Sequence, residues 1–342
     1  MAALGVVCHH VLYGGVRVAD FPWHFFPIWK GSFYGAYGVN LFFVLSGYLI
    51  TSLLILDRRT KHYYGNFYWK RVFRILPALL LILAITWALG YITAAAAVLA
   101  VLFIQNFNEI LHLPASGPFW SLSIEEQFYV VWPAVVRQMT PRTMRRCMWA
   151  VVLTVPIIRV VSIALGHGRM HYTFMNCDGL AWGALLALRA FELRVPYRAG
   201  NGKTLFKEFG WPLLICGGSF FLVAEFYERL GYKTYAGSLT GLNLIFTGLL
   251  AFLITHREGA LSKTLSLGLF TYLGSISYMV YLSHVYVLQF CQEHMVGVWA
   301  GSGLANLYLR FALVLGISVI FSSLTLYLFE RPVGKLRRYF LK

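Results

Sequence analysis

The chain has 342 residues, of which 59% are hydrophobic, 17% aromatic and only 12% charged. Soluble domains carry about 25% charged residues, so this composition excludes an ordinary soluble enzyme and indicates a polytopic membrane protein. The formal net charge of +16 does not indicate nucleic-acid binding. The basic residues interrupt apolar spans and form no single patch, as is typical of positive-inside loops.

Ten apolar segments predict an all-α fold, a polytopic membrane helical bundle of about ten transmembrane helices. They lie near residues 1–14, 37–56, 73–90, 119–137, 148–166, 174–190, 210–226, 236–255, 268–291 and 305–329. An eleventh apolar stretch, residues 91–107, is expected to be re-entrant or interfacial, because a full crossing would place most later positive charge outside. Residues 1–342 are expected to form a single integral membrane domain.

Positive charge predicts the orientation. With the N-terminus inside, 20 of the 29 Lys and Arg residues fall on inner loops, which predicts a multi-pass protein of the cell (plasma or inner) membrane with both termini cytoplasmic. The first span is short, since fourteen residues rise about 21 Å against a hydrocarbon core of about 30 Å. We therefore expect the first helix to be truncated at its N-terminus.

Ionisable side chains inside these spans are candidate functional residues, because in lipid they must line a cavity or find a partner. His9 and His10 interrupt the first span. Imidazole suits a general base, since its ordinary pKa of about 6.5 lies near operating pH. Glu125 and Glu126 lie about 10 Å below the outer end of the fourth span, and as helix neighbours they point about 100° apart. They are therefore expected to have different roles.

Two arginines, Arg71 and Arg74, form an R-x-x-R where the third predicted span begins. At i and i+3 they share a helix face beside the free N–H groups of a helix start, which is an arrangement disposed to bind phosphate. A positive-inside anchor is the alternative. Gly38 and Gly47 are expected to permit close helix packing, as small residues do in membranes.

Polar residues of later spans are expected in the outer half of the membrane, at a depth similar to that of His10. Ser277, Tyr281 and His284 follow i, i+4, i+7 spacing and are expected to face the substrate cavity. Arg159 and Asp178 lie at similar depth in successive spans and are expected to form a structural ion pair. The sequence has no HExxH and no paired CxxC pattern, so no metal site is expected.

Six stretches resemble, in order, the successive signatures of the acyltransferase 3 family, whose members are integral membrane O-acyltransferases. These stretches are AALGVVCHH (2–10), GVNLFFVLSGYLIT (38–51), FYWKRVFRILP (67–77), WSLSIEEQFYVVWP (120–133), ISYMVYLSH (276–284) and FERP (329–332). The resemblance implies an O-acetyltransferase that moves an acyl group, expected to be acetyl from acetyl-CoA or another acyl-CoA donor. The acceptor would be a hydroxyl of a cell-surface glycan, a lipid-linked sugar or a secondary metabolite.

The resemblance also implies residue roles. His10 would be the general base, with His9 structural, and Arg71 and Arg74 would bind the donor. One of the two glutamates would orient or stabilise His10, and which one stays open.

Two departures from the family pattern bear on these roles. Asn40, which is expected to line the substrate cavity, stands where the family usually has a carboxylate, so hydrogen bonding is kept and a charge is removed. The arginine that the family places eleven residues before its histidine would fall upstream of Met1.

The expected partners are acyl-CoA, a carbohydrate or glycosylated acceptor and membrane lipid, with no nucleic acid and no metal. Two other classes of function stay open. Buried charges and broken helices also suit a transporter or flippase of lipid-linked sugars. A catalytically inactive relative that serves as a scaffold is the third hypothesis.

Overall fold

The computed structural model describes residues 2–13, 31–113, 117–166, 171–195, 201–231, 235–300 and 304–340. Within these ranges all regular secondary structure is helical. The α-helices are α1 (Ala2–Cys8), α2 (Gly38–Asp57), α3 (Tyr63–Ala88), α4 (Ala94–Val101), α5 (Phe119–Gln138), α6 (Pro141–Ala164), α7 (Thr173–Glu192), α8 (Asn201–Leu205), α9 (Trp211–Arg229), α10 (Tyr235–Thr255), α11 (Ala260–Leu265), α12 (Gly268–His294), α13 (Val296–Ala300), α14 (Leu304–Thr325) and α15 (Arg331–Lys335).

Among the described residues, six helical segments are long and apolar enough to cross a membrane. They are Gly31–Asp57, Tyr63–Ala88, Pro141–Ala164, Gly202–Arg229, Ala236–Thr255 and Ala305–Tyr339. The expected membrane class is confirmed, whereas the count of about ten crossings is not. Three further predicted spans, α5, α7 and α12, are helices of 20, 20 and 27 residues, and their sequences mix ionisable and polar residues with apolar ones. The first predicted span is the shorter apolar helix Ala2–Tyr13.

Large apolar side chains cover outward-facing helix surfaces. On α9, Ile215, Leu222, Val223 and Phe226 are 56 to 68% exposed. Such a continuous apolar face is a liability in water and is stable in the hydrocarbon core of a bilayer. The exposed surface therefore supports the same membrane assignment as the helix lengths.

The apolar stretch 91–107 contains one short α-helix, α4, and a 3-10 turn at Gln105–Phe107. Thr93 caps the N-terminus of α4 by accepting a hydrogen bond from the Ala96 amide at 3.2 Å. Eight residues rise about 12 Å, less than half of a hydrocarbon core of about 30 Å. The helix is therefore too short to cross a bilayer, as expected of a re-entrant or interfacial segment.

The chain forms two compact units. Unit 1 comprises residues 1–39, 64–120 and 268–342, and unit 2 comprises residues 40–63 and 121–267. Unit 1 contains α1, α4, α12–α15 and nearly all of α3. Unit 2 contains α6–α11 and most of α2 and α5. The single domain predicted for residues 1–342 stays a prediction.

Glycines let two helices of unit 2 approach with their backbones in contact. A Cβ atom on Gly47 would lie 2.0 Å from the Leu180 carbonyl oxygen, and one on Gly183 would lie 2.1 Å from that of Val44. Only hydrogen fits at these positions, so α2 and α7 pack as closely as small residues allow in membranes. The packing role predicted for Gly47 is confirmed.

Candidate functional site

His10 and His284 meet in unit 1, although 274 residues separate them along the chain. His10 lies in the π-helical turn His9–Tyr13 that continues α1, and His284 lies within α12. The His10 Nδ1 atom is 3.2 Å from His284 Nε2, and the ring centroids are 5.0 Å apart. His284 is 1% exposed and His10 is half-buried. The two histidines therefore form a hydrogen-bonded pair that is largely screened from the exterior.

Backbone carbonyls determine the tautomer of each ring. A carbonyl oxygen only accepts, so the proton on Nδ1 of His284 is donated to the Tyr281 oxygen at 2.6 Å, and His284 Nε2 is left as an acceptor. The His10 Nδ1–H then donates to the Val6 oxygen, at 3.0 Å, and to His284 Nε2. This assignment leaves the lone pair on His10 Nε2, which is the form that a general base requires.

The neighbouring His9 has a different environment. Its ring stacks on Tyr13 with centroids 5.3 Å apart and meets Phe33 edge-on at 6.2 Å. These contacts fix the turn that carries His10. They are the kind of contact expected of the structural role predicted for His9.

Glycine contacts position α1 and hence His10. A Cβ atom on Gly35 would lie 2.0 Å from the Gly5 carbonyl oxygen, and one on Gly38 would lie 2.4 Å from that of Ala2. The backbone of α1 therefore rests directly on the segment around residues 35–38. The packing role predicted for Gly38 is confirmed.

Replacing Gly38 with alanine should move α1 and lower the thermal stability. A clash with backbone costs about 1–3 kcal/mol, which exceeds the gain of about 1 kcal/mol from the better helix propensity of alanine. Gly31→Ala is a matched control, because a Cβ atom there meets no atom of the described residues within 4 Å. The measurement is the melting temperature of both variants in detergent. An equal melting temperature for the two would contradict the packing account.

The polar stripe on α12 is divided between buried and partly exposed positions. Tyr281 is 8% exposed, and its hydroxyl donates to the Pro118 oxygen at 3.4 Å. His284 follows one turn later and contacts His10. Ser277 is only partly buried, and its hydroxyl donates to the Gly274 oxygen of the same helix at 2.8 Å. The stripe thus brings Tyr281 and His284 inward, while the cavity role of Ser277 stays a prediction.

Arg71 and Arg74 lie well inside a helix, which corrects one part of the sequence argument. We expected free N–H groups beside them, but α3 begins at Tyr63, so the first turn ends before either arginine. The aromatic and basic residues 63–70 belong to the same helix and precede the two arginines. Arg71 places its guanidinium carbon 5.9 Å from the Phe67 ring centroid, and the exposed Arg74 interacts electrostatically with Glu330. Any anion bound here would therefore be held by side-chain charge.

The two glutamates of α5 differ in environment, as expected from their directions on the helix. Glu125 accepts a hydrogen bond from the Ser46 hydroxyl at 2.8 Å and a longer one from the Tyr129 hydroxyl at 3.4 Å. The hydroxyls of Ser46 and Tyr129 are 2.7 Å apart. Glu126 is 9% exposed. Glu125 is thus oriented by two hydroxyls within unit 2, and the catalytic role of either glutamate stays a prediction.

Arg159 and Asp178 form a fully buried ion pair in unit 2. Their side chains are both 0% exposed, and Arg159 Nη2 donates to Asp178 Oδ1 at 2.6 Å. The guanidinium also donates to the Met175 oxygen at 2.9 Å and to the Thr240 hydroxyl at 3.1 Å. The second carboxylate oxygen of Asp178 accepts from Asn243 Nδ2 at 3.0 Å. Buried charges persist only when paired and hydrogen-bonded in this way.

Asn40 extends this buried network. Its Nδ2 donates to Asn243 Oδ1 at 3.0 Å, and both asparagines are buried. Asn243 thereby links α2 to the ion pair through α10. The sequence offered no signal for Asn243, because an asparagine in an apolar span does not reveal its partner. The cavity role of Asn40 stays a prediction.

These features together define an integral membrane protein whose unit 1 contains a hydrogen-bonded histidine pair, His10 and His284, and a helix, α3, that carries Arg71 and Arg74. The model of the family described as "Acyltransferase domain" matches residues 1–328, and the chain belongs to this family. No solved structure matches the chain.

Two curated relatives are about a quarter identical to the chain over the aligned residues. The peptidoglycan O-acetyltransferase OatA of Listeria monocytogenes is 24% identical over 318 residues, covering 83% of this chain and 47% of the relative. The O-acetyltransferase OatA of Staphylococcus aureus is 26% identical over 299 residues, covering 77% of this chain and 47% of the relative. The chain therefore spans about half the length of these relatives.

Proposed function

We propose that the chain is a membrane O-acetyltransferase that transfers acetyl from acetyl-CoA to a hydroxyl group of a cell-surface glycan. The observation that carries the proposal is the histidine pair, because it leaves His10 Nε2 unprotonated and oriented by His284. Family membership supports the acyltransfer reaction, and the relatives named as O-acetyltransferases support O-acetylation. Peptidoglycan is the first acceptor to examine, since one relative is named for it.

The chemistry needs one base that later acts as an acid. His10 Nε2 takes the proton of the acceptor hydroxyl while that oxygen attacks the acetyl carbonyl carbon. The carbon–sulfur bond then breaks, and the departing thiolate of CoA receives the proton from the imidazolium. Throughout, the Nδ1–H of His10 stays bonded to Val6 and His284, so the ring keeps its orientation. The products are an acetyl ester and free CoA.

The donor would bind at Arg71 and Arg74. Guanidinium groups bind phosphate through charge-assisted, often bidentate, hydrogen bonds, and CoA carries a diphosphate. In the proposed topology the ten predicted spans all cross the membrane and both termini are cytoplasmic. The donor then approaches α3 from the cytoplasm, while the glycan hydroxyl approaches from the outside.

The direct test is label transfer by the purified protein in lipid nanodiscs. Acetyl-labelled CoA is supplied with a panel of acceptors that includes peptidoglycan fragments, other glycans and a lipid-linked sugar. We expect label on one acceptor class, and transfer should fall strongly in Arg71→Ala/Arg74→Ala through a raised KM for the donor. Arg142→Ala/Arg146→Ala removes two exposed arginines of α6 as a control for charge loss.

Two results would contradict the proposal. If the Arg71/Arg74 variant and the control bind the donor with the same affinity, the R-x-x-R does not bind the donor. Movement of an unmodified lipid-linked sugar across sealed vesicles, with no acetylation of any acceptor, would favour a transporter.

A further inference from the structure

Residues 330–340, here called the C-terminal segment, run beside the first half of α3, as a ring contact and a charge interaction indicate. At one end Glu330 interacts electrostatically with Arg74. At the other end the Phe340 ring packs on Trp69, with centroids 4.5 Å apart, and on Phe73, at 5.3 Å. All these residues belong to unit 1. The residues between these two interactions therefore lie alongside the part of α3 that carries the R-x-x-R.

This region concentrates positive charge. Residues 69–74 and 330–340 contain seven Lys and Arg residues but a single carboxylate, that of Glu330. At about 100° per residue, Lys70 and Arg74 lie within about 40° of each other on α3, next to the ring contacts of the C-terminal segment. Arg71 lies about 60° beyond Arg74. Lys70 and Arg74 thus lie on the side of α3 nearest the C-terminal segment, and Arg71 lies on the flank beyond Arg74, about 160° from Phe73.

Two cations of the C-terminal segment are available to a ligand. Arg331 places its guanidinium 4.2 Å from the Tyr327 ring centroid, and Arg338 donates to the Tyr339 hydroxyl at 2.9 Å. Lys335 and Arg337 are exposed and make no hydrogen bond or ion pair to any residue that the structure describes. Like charges held together repel, so a multivalent anion bound here would be stabilised by several cations at once.

We propose that Lys335 and Arg337 bind the 3′-phosphate of the CoA donor while Arg71 and Arg74 hold its diphosphate. This inference rests on the proposed acetyl-CoA donor. CoA carries phosphate at two places on one ribose, and the surface offers two neighbouring groups of cations. The C-terminal segment thereby supplies half of the donor site, and it distinguishes CoA from nucleotides that lack a 3′-phosphate.

The test compares CoA with dephospho-CoA, which lacks only the 3′-phosphate. Binding is measured to the full chain in nanodiscs of phosphatidylcholine, with and without phosphatidylglycerol. Lys335→Gln/Arg337→Gln keeps the length of the side chains, and Arg142→Gln/Arg146→Gln is the matched control in unit 2. We expect the first variant to weaken CoA binding about 10-fold and dephospho-CoA binding less than about 2-fold. The control variant should resemble the wild type with both ligands.

Three outcomes would overturn the inference. The first is an equal loss of affinity for CoA and dephospho-CoA, and the second is a loss no larger than that of the control. The third is an effect seen only with phosphatidylglycerol, which would assign these cations to lipid headgroups. If CoA binding still depends on Arg71 and Arg74 in these cases, the proposed function stands without the inference. A wild-type protein that binds no CoA would overturn both.

Discussion

Replacing His10 with alanine is expected to lower kcat for acetyl transfer about 10²–10⁴-fold, the range typical of losing a general base. Donor affinity should stay unchanged, because the proposed donor contacts lie on α3 and the C-terminal segment and do not include His10. The measurement is the rate of label transfer at saturating donor, with donor affinity determined separately. His9→Phe is the control, since it removes the adjacent imidazole but keeps a ring that can stack on Tyr13. Activity in His10→Ala equal to that in His9→Phe would exclude His10 as the base.

The partner histidine gives a second readout of the same pair. His284 accepts the Nδ1–H of His10, so His284→Leu should lower kcat with little change in KM for the donor. His284→Gln retains an acceptor oxygen and should recover part of the loss. Equal activity of the leucine and glutamine variants would mean that His284 contributes packing and does not orient His10.

Removing Asp178 is expected to give the largest loss of stability. In Asp178→Ala the Arg159 guanidinium, whose side chain is 0% exposed, would be left buried without a counter-ion. Breaking a buried pair in this way costs about 3–5 kcal/mol. Asn243 also loses its acceptor. The free energy of unfolding, measured by denaturant titration in mixed micelles, should therefore fall by about this amount.

Two comparisons isolate the ion pair. Arg159→Met/Asp178→Leu removes both charges, and its stability should lie well above that of Asp178→Ala, because no charge is left buried. Arg145→Ala breaks the surface pair with Glu192, where the side chains are 42% and 26% exposed, and solvent screening should limit its cost to about 1 kcal/mol or less. Asp178→Ala no less stable than Arg145→Ala would contradict the account.

Much of the helical organisation could be predicted from hydropathy. The predicted spans 37–56 and 268–291 correspond closely to α2 and α12, because long apolar runs in lipid must satisfy their own backbone hydrogen bonds. The third span was predicted from residue 73, whereas α3 begins at Tyr63. Hydropathy detects only the apolar part of a helix, so it missed the first half of α3, which is aromatic and basic. Hydropathy also limits the number of crossings that can be counted, because α5, α7 and α12 mix polar with apolar residues.

The site could be predicted only in part. The ion pair between Arg159 and Asp178 was predicted correctly from their similar depth in successive spans. His10 and His284 were each selected as candidates. Their contact could not be predicted, because they lie far apart in the chain and helical periodicity relates only residues of the same helix. Ser46 was missed because a serine in an apolar span is common in helix packing and gives no sign that it donates to Glu125.

The measurement that tests the central claim most directly is acetyl ester formation on the acceptor. Wild-type protein in nanodiscs is incubated with acetyl-labelled CoA and peptidoglycan fragments, and the labelled product is treated with mild alkali. With the wild type we predict label that mild alkali releases as acetate, as an O-acetyl ester requires, and with His10→Ala no such label. Label of the same amount with His10→Ala, or label that resists alkali, would contradict the account.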